Sequence, residues 1–186
     1  MNYGKERFIF TADPISLGYM SGEVKDECGV AAVYLPKKKK DQHEKGAAYY
    51  LYKMLLQMQN RGQLSAGITT YNEHRDQLIN TYRKRGSVIE AFASKIRPKA
   101  RAIMRKYDGD RGIGHVRYTT SGGDELGAAQ PFERHHGRKW KWFSFAFNGN
   151  LANFAELKKE LEDKQYHLVR NLDTEVILHF LEKEQL

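Results

Sequence analysis

Cys28 is the only cysteine in a sequence of 186 residues, so any thiol chemistry must pass through it. A lone cysteine cannot form an internal disulfide or share a zinc site built from several thiolates. Cys28 begins the segment CGVAAVYL, residues 28–35, whose small and β-branched residues are typical of a buried strand. Its side chain is therefore either a small buried group or a reactive thiol at the head of a strand.

Three other positions carry polar side chains of types that bind ligands but that also have plain structural roles. Asn148-Gly149 is the commonest signature of a tight turn. Arg117, in the segment RGIGHVRY, is by itself a strand arginine paired with a surface acid. Asp173 by itself is an N-cap residue for the helix predicted after it. The residue types alone leave both the structural and the functional interpretations open.

The elements that must position these residues mix strands and helices without a strict strand-helix-strand repeat. We predict strands over residues 28–35, 65–71, 77–83, 111–118 and 142–147, and helices over 44–60, 87–107 with a break at Pro98, 153–164 and 173–184. Gly62 is the predicted C-cap of the 44–60 helix, with Arg61 beside the negative end of its dipole, and Asn153 is the predicted N-cap of the third helix. This order favours an α+β layered fold.

Composition and charge narrow the class of protein. The chain is 40% hydrophobic and 29% charged, which is typical of a globular domain, and no apolar run is long enough to span a bilayer. The first residues lack the apolar segment of a secretory signal, so we expect a cytoplasmic protein without a membrane partner. A net charge of +8 favours acidic ligands, yet no nucleic-acid motif accompanies it, so a nucleic-acid partner is not expected. The seven histidines show no metal-binding spacing, and no metal is predicted.

Six short motifs occur in one order along residues 28–184. They are Cys28-Gly29-Val30, Arg61-Gly62-Gln63-Leu64-Ser65-Ala66-Gly67, Gly114-His115-Val116-Arg117-Tyr118-Thr119-Thr120, Ala129-Gln130-Pro131-Phe132, Phe147-Asn148-Gly149-Asn150-Leu151 and Asp173-Thr174-Glu175-Val176-Ile177-Leu178. Together they resemble the class II glutamine amidotransferase domain of the N-terminal-nucleophile hydrolase superfamily, and most closely the glutaminase half of the amidophosphoribosyltransferases. The resemblance implies a four-layer α-β-β-α sandwich.

The resemblance also implies a catalytic apparatus without a cofactor. Cys28 would be the first residue of the mature enzyme, and its thiolate would attack the side-chain amide of glutamine. A free α-amino group has a pKa of about 7.7 to 8.0, close to the working pH, so it suits the role of general base for this thiol. The matching family positions make the Asn148 side-chain amide and the Gly149 backbone N–H the oxyanion hole.

The same resemblance assigns the residues that would hold the substrate. Arg117 matches the position that binds the glutamine α-carboxylate, a task suited to a planar fork of donors, and Thr120 matches a position that assists it. Asp173 matches the aspartate that accepts the α-ammonium group. Arg61, Gly62 and Tyr118 are expected to support the site by shaping the chain around it.

Domain organisation is expected to be a leader over residues 1–27 and an amidotransferase domain over 28–186. Glu27-Cys28 resembles the junction at which family members remove a propeptide, and the domain is expected to be incomplete because the family continues for several strands beyond the last helix. The expected partner is an ammonia-accepting synthase or transferase domain, chiefly for phosphoribosylamine formation in purine biosynthesis. Acceptors of the glutamate synthase or asparagine synthetase type, a non-catalytic regulatory module and association of identical copies stay open.

Overall fold

The computed structural model describes residues 28–36, 45–61, 63–118, 126–170 and 172–184. Within these residues two antiparallel sheets carry helices on their outer faces. The strands are β1 (Gly29–Tyr34), β2 (Ser65–Tyr71), β3 (Ile79–Arg85), β4 (Arg111–Arg117), β5 (Phe132–Arg134) and β6 (Phe143–Phe145). The helices are α1 (Ala47–Gln57), α2 (Val88–Ala91), α3 (Arg97–Lys106), α4 (Phe154–Asp163) and α5 (Asp173–Glu184). The larger sheet has the order β1-β4-β2-β3, and β5 pairs with β6.

The helix-facing side of the larger sheet carries the hydrophobic core. Ala66 and Ile68 of β2 alternate toward this face and are buried with Leu51 and Leu55 of α1. Gly114 of β4 leaves room for α1, since a Cβ added there would lie 3.2 Å from Leu55 carbons. Burial of this apolar stripe fixes α1, and with it α2 and α3, on one side of the sheet.

The opposite side of the larger sheet packs on the smaller sheet. Thr69 of β2 accepts a hydrogen bond from the Ser144 hydroxyl of β6 (2.9 Å). Beyond the smaller sheet, Arg134 of β5 pairs with Glu182 of α5 at 3.4 Å. The layers therefore run helices, sheet, sheet, helices, which confirms the predicted α+β fold and four-layer order.

Several local predictions were wrong. The first helix ends at Gln57, with the Met58 N–H bonded back to Met54 and Leu55, and the chain then tightens into a 3₁₀ turn, so Gly62 is not its C-cap. The predicted helix over 87–107 is interrupted, as expected, but the interruption lies at residues 92–96, between α2 and α3, and not at Pro98. Pro98 lies in the first turn of α3, where a missing N–H costs no hydrogen bond, so Pro98 begins a helix instead of breaking one.

Predictions at the smaller sheet were also inaccurate. The strand expected over residues 142–147 is limited to β6, and its partner β5 was not predicted. Asn153 precedes α4 but its side chain makes no capping hydrogen bond. None of the helices within the described ranges combines the length and apolarity that a bilayer-spanning helix needs.

Candidate active site

Cys28 lies at the end of the larger sheet, directly before β1. The β1–β4 register pairs Gly29 with Val116, so Cys28 stands opposite Arg117, the last residue of β4. The half-buried Cys28 thiol donates to the Tyr118 carbonyl oxygen at an Sγ–O distance of 3.8 Å. The structure thus brings together three of the predicted residues, Cys28, Arg117 and Tyr118.

Asn148 and Gly149 lie in an exposed turn after β6. Phe147, directly before them, is held on both sides by the Gln130 side chain. The Gln130 Nε2 donates to the Phe147 carbonyl oxygen (3.1 Å), and the Phe147 N–H donates to the Gln130 Oε1 (2.7 Å). The backbone orientation with which the chain enters the turn is therefore fixed.

Asp173 fixes the other end of the same turn. It is the first residue of α5, and its Oδ2 accepts a hydrogen bond from the Leu151 N–H at 2.8 Å. The carboxylate predicted to bind the substrate ammonium therefore also anchors the chain that follows Gly149. Sequence reasoning did not find this second role.

His115 lies on the face of the larger sheet that packs on the smaller sheet. It lies two residues before Arg117 on β4, so both side chains belong to the same face of the strand. His115 pairs with Gly67 of the neighbouring strand β2. The Gln130 carbonyl packs against Gly67 so closely that a Cβ added to Gly67 would lie 2.3 Å from the carbonyl oxygen. Sequence reasoning assigned no role to His115 or Gln130, although the i, i+2 spacing to Arg117 was a usable signal for His115.

The environment of His115 keeps its ring neutral. The side chain is 0% exposed, and burial lowers its pKa from 6.5 to about 4. The Phe147 backbone opposes this by favouring the protonated form, and the nearby positive charge of Arg117 lowers the pKa further. At neutral pH the ring is therefore an uncharged imidazole between β4 and the Phe147 backbone.

This pKa predicts a pH dependence of stability. As pH falls through 6.5 the unfolded chain binds a proton at His115 while the folded chain does not, so stability is lost between about pH 6.5 and 4. We expect this histidine to remove on the order of 3 kcal/mol of unfolding free energy across that range. Urea denaturation at pH 7, 5.5 and 4.5 of the wild-type chain and His115→Phe would measure it. Parallel pH profiles in the two proteins would contradict the prediction, because all other titrating groups are shared.

The remaining predicted residues lie at the edge of the described residues or outside them. Arg61 ends the 3₁₀ turn Gln59–Arg61, while Gly62 and Thr120 lie outside the described residues, as does the predicted leader 1–27. Among the described residues, no group of three His, Cys, Asp or Glu side chains is arranged to hold a metal ion.

Comparison with known families shows which family the chain belongs to. The profile of a family described as glutamine amidotransferase domain matches residues 79–184, which is more than half of the chain and runs from β3 through α5. The chain belongs to the glutamine amidotransferase family. This confirms the predicted class II glutamine amidotransferase domain, and with it an enzyme family.

Individual members of the family agree with this result. An amidophosphoribosyltransferase of Methanothermobacter thermautotrophicus is 37% identical across 87% of this chain. A solved structure of the allosteric regulatory enzyme of purine biosynthesis is 29% identical across 84% of the chain, with a TM-score of 0.66. The PRPP amidotransferase from B. subtilis, complexed with ADP and GMP, is 25% identical across 86%, with a TM-score of 0.62. The chain spans 31% of the length of each of these proteins.

Proposed function

We propose that the chain hydrolyses the side-chain amide of glutamine with Cys28 as the nucleophile. The observation that carries the proposal is the position of the Cys28 thiol, at the head of β1 and 3.8 Å from the carbonyl that directly follows Arg117. A half-buried thiol beside the residue that matches the substrate carboxylate site is where an amide carbon must be delivered for attack. Membership of the glutamine amidotransferase family supports the same reaction.

The reaction follows from the chemistry of these groups. The α-amine of an N-terminal Cys28 takes the thiol proton, and sulfur attacks the amide carbon to give a tetrahedral oxyanion. The Asn148 side-chain N–H and the Gly149 backbone N–H donate to that oxygen. Ammonia leaves with the proton returned by the amine, and water then cleaves the thioester to give glutamate and the free thiol.

The charged ends of the substrate give the specificity. Arg117 binds the α-carboxylate through paired N–H donors, with Thr120 assisting, while Asp173 accepts from the α-ammonium. Asp173 can serve the turn and the substrate together, because a carboxylate has two oxygens and the Leu151 bond uses Oδ2. Arg61, Gly62 and Tyr118 support the surrounding chain.

The acceptor of the ammonia lies in a synthase or transferase domain. The amidophosphoribosyltransferase names of the relatives support phosphoribosylamine formation in purine biosynthesis over an acceptor of the glutamate synthase or asparagine synthetase type. We infer that the reaction takes place in a reducing compartment, the cytoplasm, where a lone thiol stays reduced. The test is release of glutamate and ammonia in equal amounts from glutamine, and no release from a chain with N-terminal Cys28 would leave a non-catalytic module.

Substitution of the two charged binding residues should separate binding from chemistry. Arg117→Lys replaces a fork of donors with a point charge, so we expect the KM for glutamine to rise by about tenfold or more, with a smaller change in kcat. Asp173→Asn should also raise KM, while its amide oxygen can still accept the Leu151 bond. Steady-state kinetics measure both. Arg111→Lys, at the other end of β4, is the matched control and should not change KM.

Wild-type glutamine binding in both site variants would overturn these assignments. A fall in kcat alone after Asp173→Asn would instead assign Asp173 to the turn and not to the substrate.

A further inference from the structure

Two buried polar side chains converge on Phe147, the residue directly before the Asn148-Gly149 turn. We propose that Gln130 and His115 are positioning residues that hold the Phe147 backbone so that the oxyanion hole faces Cys28. The inference rests on the proposed function of Cys28, Asn148 and Gly149. The larger sheet would then position the Asn148-Gly149 turn, which follows β6 of the smaller sheet.

Gln130 has the contacts that such a role needs. Its side chain is a donor to the Phe147 carbonyl and an acceptor from the Phe147 N–H, so it satisfies both backbone groups of one residue. The residue is only 7% exposed, so water competes little for these bonds. Because its N–H and its carbonyl are both bonded, the Phe147 backbone cannot rotate freely. The direction of the Asn148 and Gly149 donors that follow it is therefore fixed.

Gln130 is in turn attached to the larger sheet. Its carbonyl packs against Gly67 of β2, where any larger residue would collide with it. The Arg83 guanidinium of β3 donates to the carbonyls on either side, Ala129 at 3.0 Å and Pro131 at 3.4 Å. Gln130 therefore fixes the position of Phe147 relative to the larger sheet, whose end carries Cys28.

His115 provides a second connection from the same sheet. Its ring is fully buried, yet neither ring nitrogen has a hydrogen-bond partner among the described residues. On its face of the sheet His115 lies opposite Gly67, against which the Gln130 carbonyl packs. The Phe147 carbonyl favours the protonated form of the ring, although no hydrogen bond joins the two. Buried polar groups without partners are rare and call for an explanation.

The Phe147 carbonyl can supply that explanation. A carbonyl oxygen has two lone pairs, and the Gln130 bond uses one of them. A neutral imidazole offers one N–H, and catalytic hydrogen bonds that are long in the free enzyme tighten as the transition state forms. As the bonds at the turn tighten in the transition state, His115 donates to the second lone pair, and the turn is then held from two directions.

Near-isosteric substitutions test this assignment in the glutamine-hydrolysing form of the chain. Gln130→Met removes both bonds to Phe147 and keeps the length of the side chain, and His115→Phe removes the ring nitrogens and keeps the ring. We expect kcat to fall about 10- to 100-fold in each variant, which is no more than the effect of removing an oxyanion donor itself. KM should change less than about threefold. His115→Asn, which restores an N–H donor, should recover several-fold more kcat than His115→Phe.

A matched control separates positioning from stability. Thr70 of β2 is also fully buried, and its hydroxyl donates to the Tyr107 carbonyl on the helix side of the sheet. Thr70→Val should lower the midpoint of thermal unfolding and leave kcat unchanged. Hydrogen exchange provides a readout besides activity, because the Phe147 amide should exchange faster in Gln130→Met and not in Thr70→Val.

The outcomes distinguish this inference from the proposed function. Variants that lose stability but keep kcat would overturn the positioning role and leave the glutaminase standing, as would His115→Asn no better than His115→Phe. A rise in KM at constant kcat would place the two residues in substrate binding and overturn the inference equally. No hydrolysis by the unsubstituted chain would overturn the proposed function and this inference with it.

Discussion

Replacing Cys28 with alanine should abolish glutamine hydrolysis, with kcat falling on the order of 10⁴- to 10⁶-fold, as for other covalent nucleophiles. Alanine removes the thiol but little volume, and Cys28 lies before β1 and outside the buried core cluster, so the fold should persist. Release of glutamate measures the activity, and circular dichroism with thermal unfolding measures the fold.

The control for this variant is Met58→Ala, at a position after α1 that contacts the core near Gly29 and carries no proposed chemistry. It should lose stability and retain hydrolysis. Undiminished hydrolysis by a folded Cys28→Ala protein would refute the thiol mechanism.

Freeing the Cys28 amine should produce the largest gain of activity. While Glu27 is joined to Cys28, the nitrogen is an amide whose lone pair is delocalised, so it cannot take the thiol proton. The full chain with Met1 should therefore show negligible hydrolysis, and a chain that begins at Cys28 should gain it. Its kcat/KM should rise with pH through a pKa of about 7.7 to 8.0, the range of an α-amine.

A chain that begins at Glu27 is the matched control for this gain. It lacks almost the whole leader but keeps the Cys28 nitrogen in a peptide bond, so it separates a blocked base from a blocked pocket. Equal activity in the chains that begin at Met1, Glu27 and Cys28 would refute the α-amine as base. Activity in the chains that begin at Glu27 and at Cys28, but not in the chain that begins at Met1, would also refute the α-amine as base and would assign the leader a purely steric role.

Predictability differed between long, strongly patterned elements and short ones. Strand β4 and helix α5 agree with the predicted ranges to within one residue, and each extends over seven or more residues. Strand β5 has three residues and is defined by its pairing with β6, which no local pattern reports. The early end of α1 depends on the tight turn at Met58, and helix boundaries are the feature that spacing predicts least well.

The candidate site shows the same division. Cys28 and Arg117 flank adjacent strands, so their predicted positions could be joined once the β1–β4 register was known. The roles of Gln130 and His115 depend on contacts between two sheets, and a side chain that satisfies a distant backbone has no signature in its own sequence neighbourhood. The anchoring of Leu151 by Asp173 is of the same kind.

In the proposed reaction the Cys28 thiol attacks a glutamine carbonyl held in this site. The most direct measurement is reaction of the chain that begins at Cys28 with a glutamine-like diazo ketone, followed by intact-mass analysis and peptide mapping. We expect one adduct, on Cys28, whose formation is blocked by excess glutamine and not by asparagine. No adduct, or an adduct that forms at the same rate in the presence of glutamine, would contradict the proposed reaction.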